Sequence, residues 1–209
     1  MTERIEITDF VTGEAVEAEL FDDVAVEHFL EAQEEWRPVV VEARWKLSAT
    51  GEQHLIPRHA HWDWTNKEED LKLLAFTFYG LRCGGKLQGL MKLQTVGHRC
   101  RLPEQIGKPL VYVDYIETAP WNIKLLMRAL GREPQYAPIG SVLIRAAVRK
   151  SIEEGLKGRL GLHSLPTSEQ FYLHACGMES VDKDPAKQNL LWCEFTPEGA
   201  ERFTTGGTL

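Results

Sequence analysis

The turn from Gln135 to Ser141 has the backbone best suited to hold an anion in this sequence. It follows an apolar run, Val111–Ile116, whose β-branched and aromatic residues predict a buried strand ending at Pro120, and it leads into a predicted helix. The first N–H groups of a helix have no partner within it and lie at the positive end of its dipole, where phosphate binds. Gly140 has no Cβ, so an anion can approach closely. One glycine before a helix is common, however, and this pattern alone does not establish a phosphate site.

The segment Arg58–Trp64 has the most unusual composition of the chain, with two histidines one residue apart, an aspartate and two tryptophans. A purely structural role is favoured, in which the histidines make loop hydrogen bonds and the tryptophans fill the edge of the core. The second interpretation is an acceptor pocket or cofactor wall formed by His61, Trp62 and Trp64, since indole rings beside acids suit a cationic or aromatic acceptor. A metal site at His59, His61 and Asp63 is the least favoured, and we predict no metal.

Regular elements predicted around the turn would hold it in place. The helix after the turn runs from Ser141 to Glu154, with apolar residues at helical spacing and Gly155 at the expected stop. Downstream, the sequence predicts strands at Arg159–Ser164 and Leu190–Phe195 and a closing helix over residues 196–203.

The first half of the chain also predicts a series of elements. The first is a hairpin over Arg4–Leu20, followed by a helix that is capped by Asp22 or Asp23, ends near Trp36 and is interrupted by Pro38. The segment from Val39 to Leu47 fits a helix better than a strand, and a short helix capped by Asn66 follows it. Strands Leu74–Leu81 and Leu87–Val96 are joined by a turn at Gly84 and Gly85. Residues 121–134 predict a further helix ended by Gly131, which could close over a cofactor or form a homodimer contact.

Two blocks of the sequence resemble signatures of the GNAT superfamily of acyl-CoA-dependent N-acyltransferases. The family's pyrophosphate loop reads Q/R-x-x-G-x-G/A, and Gln135, Pro138 and Gly140 occupy its marked positions, with proline in place of the first glycine. Since proline has no N–H group, the amides of Ile139, Gly140 and Ser141 would have to bind the pyrophosphate. The segment Ser168–Met178 is similar to the family's A-x-x-F-Y-x-x-x-G-F block, with Ser for Ala and Met for Phe.

This resemblance covers the chain from Val111 to about Phe203 and implies a fold, a cofactor and an activity. The implied fold is α/β (α+β), with a mixed, mostly antiparallel sheet of about six to seven strands flanked by helices. A splayed pair of strands in it would hold acetyl-CoA. The implied activity is transfer of an acetyl group to a primary amine of a small molecule, without a metal.

The resemblance also implies roles for single residues. Tyr172 matches the tyrosine that protonates the departing CoA sulfur, and a phenol with an ordinary pKa near 10 is protonated at neutral pH; its alternative role is aromatic packing beside Phe171. Glu117 is the favoured general base, with Asp114, Tyr115 and His163 as competitors. The family often has an asparagine where this chain has Leu165, and Ser164 could replace it. The amide of Thr118 would polarise the acetyl carbonyl. The expected CoA-binding residues are Ile116, Thr118, Gln135, Pro138, Ile139, Gly140, Ser141, Ser164 and Phe171. The expected acceptor pocket contains His61, Trp62, Trp64 and Tyr115.

Composition limits the other possibilities. The chain has 209 residues, which suits a single domain: residues 1–109 with the acceptor side, 110–203 with the CoA core, and 204–209 as a frayed tail. The net charge of −7 argues against nucleic acid as a partner, and a cationic acceptor would suit it better. No apolar run is long enough to span a membrane, and the acidic start does not resemble a secretory signal, so we expect a cytoplasmic protein without a membrane partner. The four cysteines form no C-x-x-C pair and are expected to be reduced and buried.

Two alternative functions remain open at this stage. In the first, the acceptor is an amine of a protein or peptide. In the second, the domain has lost turnover and binds CoA or a partner protein as a sensor, which Pro138 and Leu165 favour. Tyr172, Gly140 and Glu117 favour catalysis.

Overall fold

The computed structural model describes residues 2–206 and contains α-helices and β-strands throughout this range. The strands are β1 Thr2–Asp9, β2 Ala15–Phe21, β3 Phe76–Cys83, β4 Lys86–Gln94, β5 Val111–Thr118, β6 Tyr136–Ala137, β7 Leu160–Ser164, β8 Glu179–Asp184 and β9 Leu190–Phe195. The α-helices are α1 Val26–Glu31, α2 Arg37–Ala49, α3 Lys124–Leu130, α4 Ile139–Glu153 and α5 Pro197–Thr205. None of the helices within these residues is long and apolar enough to cross a membrane.

The strands form one sheet in the order β6-β1-β2-β3-β4-β5-β7-β9-β8. The pairs β1–β2, β1–β6, β2–β3, β7–β9 and β8–β9 are antiparallel, and β5–β7 is parallel. The predicted fold class is confirmed, but the sheet has nine strands in the described part of the chain rather than about six to seven. The sequence missed β6, which has two residues, and β8, whose side chains other than Val181 are polar and mostly exposed and lack the alternation that marks a half-buried strand.

Two compact units divide the described residues. The first comprises residues 2–73, 78–90 and 116–143, and the second comprises residues 74–77, 91–115 and 144–206. Strands β3, β4 and β5 and helix α4 contribute residues to both.

The first unit has an aromatic core. Phe29 of α1 packs against Trp64 and Phe78 with ring centroids 5.8 and 5.6 Å apart. Trp36 is also buried, and its indole N–H donates to the Leu87 carbonyl over 3.2 Å. This bond fixes the end of the first helical segment on strand β4.

The helical segment from Val26 to Ala49 differs from its prediction in its N-cap residue and in the effect of Pro38. Ala25, rather than Asp22 or Asp23, is the N-cap residue of α1. Pro38 does not interrupt the segment, because a π-helical turn, Ala32–Trp36, leads into α2 and places Pro38 in its first turn, where a missing N–H group costs nothing. The preferred helix over residues 39–47 is confirmed within α2.

Further predicted elements lie close to their expected positions. The next helix is a 3₁₀ segment, Trp64–Lys72, which is capped by Asp63 instead of Asn66. The predicted helix in residues 121–134 is confirmed as α3, which ends at Gly131 in the left-handed conformation.

The second unit is built around strands β7 and β9, which pair from Leu160↔Phe195 to Ser164↔Leu191. Its buried residues include a cluster formed by Cys100, Leu110, Tyr112 and Trp192. All four cysteines of the chain are free and buried, as expected. Thr204 and Thr205 belong to α5 and are not part of a tail, while residues 207–209 of the predicted tail lie outside the described residues.

Candidate active site

Glu117 is a buried carboxyl group near the end of β5 in the first unit. Trp64, the first residue of the 3₁₀ segment, donates its indole N–H to Glu117 Oε2 over 2.7 Å. Lys67 lies one turn further along, with its Nζ 3.0 Å from the Asp63 carbonyl oxygen and 5.3 Å from the centre of the Trp64 ring. Strand β5 and the 3₁₀ segment therefore hold an acid, an indole and an ammonium group close together.

Burial raises the pKa of Glu117 to about 7, because a charged carboxylate loses hydration in this environment. The Trp64 hydrogen bond and the positive charge of Lys67 lower the pKa and so oppose this effect. The result is a carboxyl group that gains and loses a proton near neutral pH, which is the range a general base needs.

A small cleft adjoins Glu117 and is lined entirely by residues of the first unit. The lining residues are Ala32, Gln33, Trp36, Arg37, Val40, Ala60, Trp62, Trp64 and Glu117. Its volume is about 20 Å³. That is enough for one water-sized group.

The structure brings only part of the predicted acceptor pocket together. Trp62 and Trp64 line the cleft with Glu117, whereas His61 is exposed and is not a lining residue. Tyr115 belongs to the second unit, where its ring lies 5.7 Å from Lys92 Nζ. His59 packs against Trp62 with ring centroids 5.5 Å apart, and burial lowers its pKa to about 4. Among residues 2–206, no three His, Cys, Asp or Glu side chains are grouped so that they could hold a metal ion.

The backbone of the predicted pyrophosphate loop is fixed by hydrogen bonds just before β6 and within it. The Gln135 N–H donates to the Trp121 carbonyl over 3.0 Å, and the Gln135 carbonyl accepts from the Phe10 N–H over 2.7 Å. The next amide, that of Tyr136, donates to Asn122 Oδ1 over 2.9 Å. Pairing of Ala137 with Thr8 then joins the loop to β1.

The first helical hydrogen bond of α4 runs from the Val142 N–H to the Pro138 carbonyl over 3.2 Å. The amides of Ile139, Gly140 and Ser141 come before this bond, so the helix itself provides them with no acceptor. The helix thus begins two residues earlier than Ser141, where the sequence placed its start. These three amides are the ones that the sequence assigned to an anion.

Sequence reasoning missed the residues that position this loop. Gln88 of β4 is buried, and its Oε1 accepts from Trp121 Nε1 and Asn122 Nδ2, each over 2.8 Å. Its Nε2 donates to the Cys83 carbonyl over 2.9 Å, so both the oxygen and the nitrogen of the side-chain amide are hydrogen-bonded. Gln88 therefore holds Asn122, which in turn holds the Tyr136 amide. A glutamine within a strand gives no sequence signal for such a role.

Gly89, next in the same strand, provides the space into which α4 begins. A Cβ atom at this position would lie 2.9 Å from Ile139 Cγ2, 3.0 Å from Leu143 Cδ1 and 3.3 Å from the Glu117 carbonyl oxygen. The absence of a side chain at Gly89 thus lets the first turn of α4 and the Glu117 backbone approach the same strand.

The second unit holds the remaining predicted cofactor residues. The parallel pairing of β5 with β7 joins Val111–Val113 to Leu160–Leu162, and β7 continues to Ser164. Ser164 is fully buried, and its hydroxyl donates to the Leu165 carbonyl over 3.0 Å. That bond already uses the one proton of this hydroxyl.

Tyr172 lies in a short π-helical turn, Phe171–Ala175. Its ring packs edge-on against Phe171 with centroids 5.0 Å apart. Burial raises the pKa of the Tyr172 phenol, so the group stays protonated at neutral pH.

The three competing bases have other partners or lie elsewhere. Asp114 forms an ion pair with Lys92 over 2.7 Å, and Tyr115 lies near the same lysine. His163 lies between the Tyr112 hydroxyl, 2.8 Å from Nδ1, and Asp184 Oδ2, 3.0 Å from Nε2. Of the four candidates, only Glu117 lines the cleft.

The chain was compared with known proteins. No family model matches it, and no curated protein sequence matches it. Many solved structures do. The PaiA N-acetyltransferase from Thermoplasma acidophilum, in complex with coenzyme A, aligns over 85% of this chain and 97% of its own, with a TM-score of 0.51 and 13% identity.

Two further structures show the same likeness. The GNAT domain of S. lividans PAT aligns over 93% of this chain and 96% of its own, with a TM-score of 0.52 and 12% identity. The aminoglycoside acetyltransferase AAC(6')-Ib, in complex with coenzyme A, aligns over 90% and 99%, with a TM-score of 0.53 and 14% identity. At these identities the likeness concerns the fold, and the chain therefore has the fold of the GNAT acetyltransferases.

Proposed function

We propose that this protein is an N-acetyltransferase that moves an acetyl group from acetyl-CoA to a primary amine of a small molecule. One observation carries the proposal: Glu117 is a buried acid with a pKa raised to about 7, next to a cleft large enough for an amine nitrogen. The fold, shared with acetyltransferases that were crystallised with coenzyme A, supports the choice of acyl donor.

The loop before α4 is proposed to bind the pyrophosphate of acetyl-CoA. The amides of Ile139, Gly140 and Ser141 would donate to it, while Pro138 contributes no donor. Strand β5 pairs with β7 through Val111–Val113 and continues beyond these residues, so it has further backbone for the pantetheine arm, with Ile116 and Thr118 as contacts. Gln135, Ser164 and Phe171 remain candidate contacts through the resemblance.

The chemistry follows from these residues. Glu117 takes a proton from the attacking amine while the nitrogen forms a bond to the thioester carbonyl carbon. The amide of Thr118 stabilises the oxyanion that develops on the carbonyl oxygen. The carbon–sulfur bond then breaks, and Tyr172 gives its proton to the CoA thiolate. The products are an acetylated amine and free CoA.

Calorimetry with acetyl-CoA and a thiol-release assay with a panel of amines test this function together. We expect saturable binding of acetyl-CoA and release of free CoA that depends on the amine, with loss of release in Glu117→Gln. The likeness to an aminoglycoside acetyltransferase supports small molecules as the first members of the panel.

Each possible outcome of this test is informative. A protein that does not bind acetyl-CoA contradicts the proposal as a whole. Binding without turnover on small amines, peptides or proteins would instead identify a CoA sensor, and turnover on peptides alone would identify a protein acetyltransferase.

A further inference from the structure

The cleft beside Glu117 changes in exposure from one end to the other. Glu117, Trp36 and Trp64 are buried, with at most 9% of their surface exposed. Gln33 and Trp62 are half-buried, and Arg37 is exposed. The acid therefore lies at the closed end of the cleft, and the guanidinium group belongs to the end that solvent reaches.

The volume of the cleft limits which part of an acceptor can enter it. A space of about 20 Å³ holds one group of the size of a water molecule. A primary amine nitrogen with its hydrogens has about that size, whereas a branched or ring-bound amine is larger. If the nitrogen lies beside Glu117, the rest of the acceptor must extend toward the exposed end, past Gln33 and Arg37.

These two residues are hydrogen-bond donors that lack strong partners in the protein. Within residues 2–206 no carboxylate forms an ion pair with Arg37. Gln33 Nε2 is buried and makes no hydrogen bond of acceptable geometry, although its side chain lies near enough to Asp63 to lower the pKa of that acid.

Asp63 is an acid on which both Gln33 and Arg37 act, and it is bonded to another residue. Its Oδ1 accepts from the backbone N–H and the hydroxyl of Thr65 over 2.9 and 2.5 Å. Arg37 acts on Asp63 only through its charge, which helps to lower the pKa of Asp63. The guanidinium group keeps its own donors for another acceptor.

We propose that the acceptor is a primary amine that carries an anionic group, foremost a carboxylate, a few atoms from the nitrogen. The amine binds beside Glu117, and the carboxylate accepts hydrogen bonds from Arg37 and Gln33, since guanidinium and carboxylate groups match in a bidentate geometry. This inference rests on the proposed function and narrows its substrate class. It differs from the cationic acceptor that the net charge of −7 favoured, because that charge belongs to the whole chain, while the lining of the cleft includes a single acid and an arginine.

Three acceptors of equal chain length test this inference: 4-aminobutyrate, butylamine and 1,4-diaminobutane. Each has four carbons, and they differ only at the fourth, which is a carboxylate, a methyl group or a methylene that carries a second ammonium group. In the thiol-release assay with saturating acetyl-CoA, we expect kcat/KM to be about tenfold or more higher for 4-aminobutyrate than for butylamine, and lowest for the diamine. Shorter and longer ω-amino acids then locate the preferred spacing.

Substitutions at Arg37 assign the preference to this residue. Arg37→Gln should reduce the ratio of kcat/KM for 4-aminobutyrate to that for butylamine by about tenfold, mainly through KM, and Arg37→Lys should restore part of it. Arg44→Gln is the matched control, because Arg44 lies on the same helix, is exposed and does not line the cleft.

The results separate this inference from the proposed function. A preference for the diamine, or a ratio that Arg37→Gln leaves unchanged, overturns the anionic acceptor while the acetyltransferase function stands. Absence of CoA release with every amine overturns the function, and the inference with it.

Discussion

Two opposing effects set the protonation of Glu117. Burial raises its pKa, and the indole N–H of Trp64 stabilises the carboxylate and holds the pKa at about 7. A base with this pKa is about half ionised at neutral pH, so the profile of kcat/KM against pH should bend near pH 7, where Glu117 loses its proton. Under the proposed function, Trp64 therefore acts on the reaction by tuning the pKa of Glu117, and this can be tested apart from any contact with substrate.

Replacing Trp64 by phenylalanine removes the donor and keeps an aromatic ring. Because a hydrogen bond to a charged group contributes about 1.5–3 kcal/mol, the pKa of Glu117 should rise further, and the acidic limb of the kcat/KM profile should move up by about one to two pH units. The profile is measured with one amine and saturating acetyl-CoA. Trp62→Phe, in the same cleft, should leave the limb in place, since Trp62 does not contribute to the pKa of Glu117. An unmoved limb in Trp64→Phe would show that the bond does not tune the base.

The proposed role of Tyr172 as proton donor can be tested by removing only its phenol oxygen. Tyr172→Phe should lower kcat by about 100-fold or more, because the CoA thiolate then leaves without a proton donor, while the affinity for acetyl-CoA stays within about twofold. Tyr112→Phe is the control, since Tyr112 is also a buried tyrosine with a raised pKa but donates to or accepts from His163. Wild-type turnover in Tyr172→Phe would leave packing against Phe171 as the role of this ring.

At the scale of elements, strand β4 positions both the loop at Tyr136 and the start of helix α4. Gln88 fixes Asn122 and through it the Tyr136 amide, and Gly89 makes room for the first turn of α4. Two adjacent residues of one strand thus determine where the amides of Ile139, Gly140 and Ser141 lie. Under the proposed function, binding of the pyrophosphate by this loop depends on the position of β4.

Gly89→Ala tests that dependence. Its Cβ would meet Ile139 Cγ2 at 2.9 Å, so the start of α4 has to shift. We expect a loss of about 1–3 kcal/mol in the free energy of unfolding, as for overpacked cores, together with a several-fold higher Kd for acetyl-CoA in calorimetry. Gly80→Ala should destabilise the fold without the change in Kd, because the atoms that it would meet belong to the Phe21 ring. Equal values of Kd for Gly89→Ala and the unchanged protein would contradict the role of β4.

The elements that could be predicted are those with a local signal. Helix α4 and strand β9 follow from residue types within a few positions, and the structure places them within two residues of their predicted bounds. The turn predicted over Gln135–Ser141 instead contains β6 and the first residues of α4. The bond between Trp64 and Glu117 joins residues 53 positions apart, and no periodicity indicates such a pair. The same holds for Gln88, whose partners Trp121 and Asn122 lie 33 and 34 positions away. Long-range polar contacts decide the electrostatics of this site, and the sequence order does not reveal them.

At the scale of the whole molecule, the fold persists although the sequence has diverged. Identities of 12–14% accompany alignments over 85–93% of the chain with the three acetyltransferase structures described above. Departures such as Pro138 and Leu165 fall at positions where the family motif usually supplies a donor. Despite Pro138, α4 begins with three amides that precede its first hydrogen bond.

The protonation of Glu117 should affect how the free energy of unfolding of the whole chain changes with pH. Its folded pKa of about 7 lies above its ordinary value of 4.5, so the folded state binds this proton more tightly, and stability is lost as the pH rises from about 4.5 to 7. His163 acts in the opposite sense: burial lowers its pKa, so stability is lost as the pH falls below 6.5, the value expected for the unfolded chain. The two effects overlap in the unchanged protein.

Glu117→Gln separates them, because His163 is the same in both proteins and cancels in the difference. Glutamine can still accept the Trp64 hydrogen bond and carries no charge to bury. Denaturant unfolding should therefore show similar stability near pH 4.5 and a variant more stable by up to about 3 kcal/mol at pH 8, although it has lost turnover. A difference that stays constant across this range would mean that the carboxylate of Glu117 is ionised at no cost, and the protein would then lack the near-neutral base on which its proposed chemistry depends.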